Sequence, residues 1–259
     1  MDSLPLDKSG AAIRDMFAGV APRYDLLNHL LSGALDFVWR RRAAAALAAV
    51  RSPGRILDLC CGTGDQATAD ASGGARVAAA DFCVPMLAIA RRKFVRTAPN
   101  THPRPQALAA DALALPFPDR AFSGATVSFG LRNVADLGAA LGQLARVLRP
   151  GGRLVVLECA LPRRQPLRGL YLFYFTRLLP GIGRLLSPRG SAYSYLPESV
   201  LQFPQRQAFL DCMEKAGFSD LAWEDLAAGA VCLYQGVVPD KLVPDKLVPD
   251  KLVPDKVAA

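Results

Sequence analysis

The sequence predicts an α/β fold built on a mostly parallel sheet with helices on both faces, and three observations predict it. A short apolar run carrying an acid, Arg55 to Leu59, leads into the turn Cys60-Cys61-Gly62-Thr63-Gly64-Asp65 and then a helical pattern, the order of strand, loop and helix in a nucleotide-binding unit. A second apolar run, Arg76 to Ala80, ends in Asp81 about 20 residues beyond the glycine turn, the spacing at which such folds set an acid against ribose hydroxyls. Strand and helix patterns then alternate through Glu158, which implies parallel strands covered on both sides.

Before the first strand, Ala11 to Ala49 is helical, with Ile13, Phe17 and Val20 at helical spacing and breaks at Gly19 and Pro22. Leu26, Leu27, Leu30 and Leu31 read as core and Arg40 to Arg42 as a solvated face. Residues 1–50 are therefore expected to form a helical lid able to fold over the ligand crevice. In the glycine turn, Gly62 and Gly64 allow a tight bend and close approach of the backbone to a ligand, Asp65 suits the N-cap of the next helix, and Asp58 is expected to point into the crevice. An acid at that place favours a cationic ligand such as S-adenosylmethionine over a phosphate.

Pro85 opens a helix through Phe94, with Arg91, Arg92 and Lys93 at a solvated C-terminal end. A proline-rich loop then gives way to a short strand, Ala107 to Ala109, and Asp111 follows it, placed either to accept from an adenine amino group or to serve as a turn acid. Phe122 to Phe129 is the fourth strand. At its end Arg132 and Asn133 set a permanent cation beside an amide, for ligand chemistry or, in Arg132, for a structural salt bridge. Asp136 starts a helix that Pro150-Gly151-Gly152 stops, and Arg153 to Glu158 is the fifth strand.

Leu161 to Pro204 breaks the alternation with an aromatic and aliphatic stretch in which arginines are interleaved from Arg163 to Arg189. Interfacial helices, a greasy pocket and ordinary packing all share that pattern. Gln205 to Ala216 is a helix closed by Gly217, and Leu221 to Glu224 with Val231 to Gln235 completes a seven-stranded sheet as an antiparallel pair. The domain thus spans 51–237 with a helical insertion at about 161–204. From Val238 a Val-Pro-Asp-Lys-Leu repeat reads as a disordered or extended tail over 238–259.

The 259 residues can bury a substantial core, and the net charge of +8 is spread along the chain, compatible with RNA or an anionic membrane face without establishing either. The 6 cysteines form no Cys-x-x-Cys pair and no cluster with histidine, so reduced cytosolic thiols and no metal are expected. Met1 to Gly10 carries no secretory pattern, and no apolar run approaches the roughly 20 residues of a spanning helix. A cytoplasmic protein follows, soluble or peripheral.

Three segments carry a more specific signal: Tyr24-Asp25-Leu26-Leu27-Asn28, Ser128-Phe129-Gly130-Leu131-Arg132-Asn133, and Tyr195-Leu196-Pro197-Glu198-Ser199-Val200. With them, the chain resembles the ubiquinone/menaquinone biosynthesis C-methyltransferases, a family of the Rossmann-like class I S-adenosylmethionine-dependent fold, over about residues 11–235. The resemblance implies cofactor contacts at Thr63, Asp81, Asp111, Ala112 and Ser128, and a substrate side formed by Tyr24, Asp25, Arg132 and Asn133. It implies C-methylation of a polyprenylated quinol, demethylmenaquinol first and 2-methoxy-6-polyprenyl-1,4-benzoquinol as the alternative. Such a substrate brings peripheral contact with the inner face of the cell membrane through the Arg163 to Arg189 stretch, and a homo-oligomer is left open. Three positions depart from the family pattern: Leu27 where Met is usual, Asp36 where His is usual, and Ala160 where an alcohol is usual. Two other classes compete. An RNA methyltransferase lacks a base-stacking module here, so no nucleic-acid partner is expected, and a non-catalytic scaffold would not need Asp58, Asp81 and Asp111 together.

Overall fold

The computed structural model describes residues 9–48, 54–97, 103–174, 177 and 191–240. Three helices come first: α1 (Gly10–Val20), α2 (Tyr24–Leu31) and α3 (Asp36–Ala48). The alternating unit follows as β1 (Arg55–Leu59), α4 (Asp65–Ala71), β2 (Arg76–Asp81), α5 (Val84–Thr97), β3 (Gln106–Ala109), β4 (Phe122–Ser128), α6 (Leu137–Val147) and β5 (Leu148–Cys159). The remainder comprises α7 (Leu167–Phe173), α8 (Ser191–Gln202), α9 (Gln207–Lys215), β6 (Ser219–Leu226) and β7 (Val231–Val237).

The strands form one 7-stranded sheet in the order β3-β2-β1-β4-β5-β7-β6. Strands β1 to β5 are parallel, and β7 inserts antiparallel between β5 and β6, as the sequence predicts for the closing pair. Strand order reverses between β1 and β4, which opens a crevice at the carboxyl ends of those strands. Alternation sorts the side chains. Leu57, Leu59, Ala125, Val127, Leu154 and Val156 face α6 and α9, whose Leu141, Leu144, Phe209 and Met213 are buried against them. Val155, Leu157, Val231 and Leu233 take the other face, where α3 packs Ala43 and Leu47, while α4 and α5 cover Val77 and Ala79.

Several local expectations are corrected. The N-terminal helical run breaks at Pro22, while Gly19 stays inside α1. The polarity assigned to α2 and α3 holds in part: Leu27 and Leu31 are half-buried and Arg41 and Arg42 exposed as expected, but Leu26 is 68% and Leu30 66% exposed, whereas Arg40 is only 8% exposed. Arg40 is buried because α3 lies on α4, its carbonyl accepting from Gln66 Nε2 and its guanidinium sitting 5.4 Å above the Phe129 ring. The N-cap of α4 is Gly64, and Asp65 is the first helical residue. Pro150-Gly151-Gly152 lies inside β5, because α6 hands over to the strand at Leu148. Val238 continues the β5–β7 ladder, exchanging backbone hydrogen bonds with Gly151 and Gly152 at 2.8 and 2.9 Å. Residues 241–259 of the repeat, and most of the arginine-interleaved stretch beyond Tyr174, lie outside the described residues.

Candidate active site

At the crevice, β1 ends in a turn where Cys60 and Gly62 both adopt positive φ (56° and 55°), a conformation that costs a non-glycine residue energy and is concentrated at functional sites. Phe129, at the end of β4, does the same at 60°. The turn fits only because Gly130 has no side chain: a Cβ there would lie 2.4 Å from Cys60 Cβ. Gly64 has a packing reason instead, since at φ 87° its Cβ would fall 2.5 Å from the Phe94 ring.

Asp81 closes β2 beneath this turn. Gly62 N–H donates to its Oδ2 and Cys83 N–H to its Oδ1, both at 2.8 Å. Burial raises its carboxyl above the ordinary value, and the two amide donors pull the other way. Each oxygen keeps a lone pair for a ligand. Asp81, Phe82, Met86, Asp111, Ala112 and Ser128 line a cavity open to solvent, of about 910 Å³ with its mouth included. Its lining carries two carboxylates, Asp81 and Asp111, and neither Lys, Arg nor His. Such a wall suits a cation-bearing nucleoside and opposes a phosphate, so the residues present fit S-adenosylmethionine. Gly10, Ile13, Phe17 and Tyr24 of the N-terminal helices complete the lining.

Four predicted contacts, Asp58, Thr63, Gly64 and Asp25, sit elsewhere, Gly64 serving the packing against Phe94 just described. Asp58 does not line the cavity: the two-residue period of β1 turns it toward α3 and α4, opposite Thr126. It is fully buried with neither carboxylate oxygen hydrogen-bonded. Burial, then Asp70, raises its carboxyl well above the ordinary range, and Arg40 works against them. Thr63 and Asp25 are absent from the cavity lining and engage each other, Thr63 Oγ1 donating to Asp25 Oδ1. Asp25 Oδ2 takes Lys93 Nζ at 2.8 Å, and Lys93 also reaches Asp65 at 2.5 Å. Lys93 is therefore a tie between α2, α4 and α5 rather than a solvated helix end. Gln66, singled out by no sequence signal, accepts from Ser128 Oγ at 2.9 Å and donates to Asp70 at 2.8 Å.

A second cavity, of about 810 Å³, adjoins the first across Tyr24 and Phe129, which line both. Trp39, Leu31, Leu196 and Val231 make it largely apolar, and Arg132 supplies a fixed positive charge. Arg132 forms the structural salt bridge that one reading expected, and it also lines this cavity. Its Nη1 donates to Glu158 Oε2 at 2.8 Å and to the Phe129 carbonyl at 2.6 Å. Burial alone would make this cation easier to deprotonate; Glu158 and its neighbours more than offset that and hold it charged. Asn133 lines the first cavity, and its Oδ1 is buried without a partner. A third cavity, of about 580 Å³, continues between α1, α2 and α8 past Phe17, Leu27 and Tyr195, and Tyr24 borders all three. Burial raises the Tyr24 phenol, with Arg132 acting in the opposite sense.

An acidic nucleoside cavity at the switch point of a doubly wound sheet, joined to an apolar chamber, defines an S-adenosylmethionine-dependent methyltransferase of class I. Solved structures share the fold: a methyltransferase of this type from Thermotoga maritima, 18% identical, aligns over 88% of this chain and 100% of its own with a TM-score of 0.58. Phosphoethanolamine N-methyltransferase 2 of Haemonchus contortus, 15% identical, aligns over 76% of this chain and 52% of its own with a TM-score of 0.54. Within that class the chain belongs to the ubiE/COQ5 methyltransferase family, which it matches over residues 6–238. It is 51% identical to a demethylmenaquinone methyltransferase of Thermus thermophilus, over 86% of this chain and 100% of the relative. It is 43% identical to a ubiquinone/menaquinone biosynthesis C-methyltransferase of Geobacter sulfurreducens, over 89% and 90% respectively.

Proposed function

We propose that the enzyme methylates a ring carbon of a polyprenylated quinol, demethylmenaquinol in the first place, in menaquinone biosynthesis. The observation that carries this reading is the pair of adjoining chambers: one walled by Asp81 and Asp111, the other largely apolar with the buried residues Arg40 and Arg132 in its lining. The names of the relatives support the same substrate.

S-adenosylmethionine supplies an electrophilic methyl group carried on a sulfonium. In this reading Asp81 accepts from the ribose hydroxyls, Asp111 and Ala112 hold the adenine edge, Gly62 gives the backbone room to approach, and Ser128 is fixed by Gln66. Arg132 holds a ring oxygen, the unpartnered Asn133 Oδ1 on the cofactor side accepts from a ring hydroxyl, and Tyr24 orients the ring at the boundary. A quinol reacts through its electron-rich reduced ring, and a guanidinium beside the oxygen stabilises the phenolate that enriches it further. The described N-terminal helices, residues 10–48, act as the lid, excluding water from the first chamber through Ile13 and Phe17 and from both through Tyr24. No step of this chemistry calls for a metal.

A prenylated substrate resides in the bilayer, and the exposed apolar side chains Leu26 and Leu30 of α2, Leu35, Phe37 and Val38 at the start of α3, and Leu170 and Phe173 of α7 support a peripheral contact on the cytoplasmic face. Among the described residues no helix is long and apolar enough to cross a membrane. The test is methylation by the purified protein with labelled cofactor, offered reduced demethylmenaquinone and the methoxylated benzoquinol. Label in the naphthoquinol is expected; preference for the benzoquinol, or label in neither, overturns the substrate assignment.

A further inference from the structure

Replacing a ring C–H by C–CH3 while a sulfonium becomes a neutral thioether releases one proton per turnover, and some group in the acceptor chamber has to receive it. Most of the titratable groups lining that chamber are poor acceptors. Arg40 and Arg132 are cations without a lone pair to offer. Burial raises Tyr24, Tyr171 and Tyr174 and pushes the Cys159 thiol up to about 11, so all four hold their own protons at neutral pH. Asp36 is the one carboxylate among the described residues of the lining.

Asp36 sits in the first turn of α3, 3% exposed. Ser32 Oγ donates to its Oδ1 and His29 Nδ1 lies against its Oδ2, each at 2.8 Å, and Arg40 Nε stands 3.7 Å away. Behind the imidazole, Nε2 is 3.9 Å from Asp65 Oδ2, and Lys93 pairs with the other Asp65 oxygen. One ligand atom from each of His29, Asp36 and Asp65 falls within 4.8 Å of the others, so the three form a compact polar cluster. The polar contacts run outward from the chamber, hydrogen-bonded from Asp36 to His29 and longer-range from His29 to Asp65, with His29 stacked on Phe37 at 4.3 Å to fix its plane.

We propose that Asp36 is the general base that takes the proton of the ring hydroxyl, and that His29 is a positioning residue, its Nδ1–H holding the Asp36 carboxylate toward the chamber. This rests on the quinol reading above. The O–H bond breaks as the ring carbon takes the methyl group, its electron pair staying on the ring oxygen, and the proton passes to Asp36. The methylated carbon then sheds its own C–H proton as the oxygen is reprotonated, which restores the aromatic quinol, and the one net proton leaves Asp36 to water when the chamber reopens. A carboxylate is a weak partner for a free phenol, whose pKa is about 10, but the mismatch disappears as the carbon–methyl bond forms. The hydroxyl is then that of a protonated ketone, far more acidic, and a carboxylate is base enough.

Asp36→Asn should cut kcat by about 10²–10⁴-fold with cofactor Kd, read by calorimetry, within about threefold of wild type. The gap should narrow with a quinol analogue bearing an electron-withdrawing ring substituent, a response that a merely structural residue would not give. His29→Asn should lose roughly tenfold in kcat with the same narrowing, and it carries the test if Asp36→Asn fails to bind cofactor. Independently of activity, nitrogen-15 spectra of the cofactor-free protein, which has only 2 histidines, should show His29 protonated at Nδ1 and that signature lost in Asp36→Asn. Activity of Asp36→Asn within threefold of wild type, or equal losses on both quinols, overturns the assignment of the base and leaves the quinol reading standing. A wild-type protein that binds cofactor and methylates no quinol overturns that reading, and the base falls with it.

Discussion

Replacing Arg132 by Met removes the counter-charge of Glu158 while keeping most of the side-chain volume. Glu158 is wholly buried, and its three donors are Arg132 Nη1 at 2.8 Å, Arg132 N at 3.3 Å and Cys159 N at 3.3 Å. Two of these are backbone amides and survive the change, but neither carries charge. A buried ion stripped of its partner costs about 3–5 kcal/mol, and the surviving amides place this case near the lower bound. Against a total stability of about 5–15 kcal/mol, that loss is large without abolishing the fold. Urea unfolding followed by circular dichroism at pH 7 should show a loss of about 3 kcal/mol for Arg132→Met, and Arg132→Met with Glu158→Gln should recover at least about 1 kcal/mol of it. At low temperature, where the variant is folded, cofactor affinity should stay near wild type while turnover falls at least tenfold. A single variant within about 0.5 kcal/mol of wild type, or a double variant no better than the single, would refute the view that this pair is what holds the guanidinium at the chamber wall.

Other changes test the donor side and the interior. Asp81→Ala removes an ionised acceptor that two backbone amides orient, and titration calorimetry should show S-adenosylmethionine binding weakened by about 10–100-fold, in line with the ~1.5–3 kcal/mol of a charged hydrogen bond; a change under threefold would remove Asp81 from the ribose. Gly64→Ala puts a methyl 2.5 Å from the Phe94 ring at φ 87°, so a thermal melt should fall by several degrees, about 2–4 °C for each kcal/mol lost, and an unshifted melt would contradict the packing described. Asp70 is raised from 3.8 to about 6 by burial, against the opposing hydrogen bonds from Thr126 and Gln66. Because the folded state keeps this proton where the unfolded chain has lost it, the associated stability is full below pH 3.8 and is lost as pH rises through about 6. The stability of Asp70→Asn relative to wild type should therefore improve steadily from pH 4 to 7, and a pH-independent difference would falsify the shift.

The succession of elements was legible because it rests on local patterns: apolar runs of strand length, Asp136 as an N-cap, Gly217 after a helix, and Asp81 at its spacing from the glycine turn. What eluded the sequence was direction. Asp58 and Asp81 both end or nearly end a strand, yet one residue of register sends Asp58 under α4 and Asp81 to the crevice. Arg40 and Arg41 are neighbours in a polar run, and only the docking of α3 on α4 decides that the first is buried. The partners of Lys93 lie 68 and 28 residues away, and Glu158 is 26 residues from Arg132, distances over which no periodicity speaks. Asp36 was visible only as a departure from a family pattern; its contact with His29, seven residues earlier, needs the turn between α2 and α3 to be seen.

The partition between the two large chambers, made by the Tyr24 and Phe129 rings, bears on regiochemistry. A flat aromatic anchored by its oxygen on one wall presents a single edge to the gap beside those rings, whichever of its carbons is intrinsically the more reactive. Selectivity among positions on the ring is then a property of where the partition opens, and reshaping it at Tyr24 or Phe129 is the way to move the new methyl group to a different carbon.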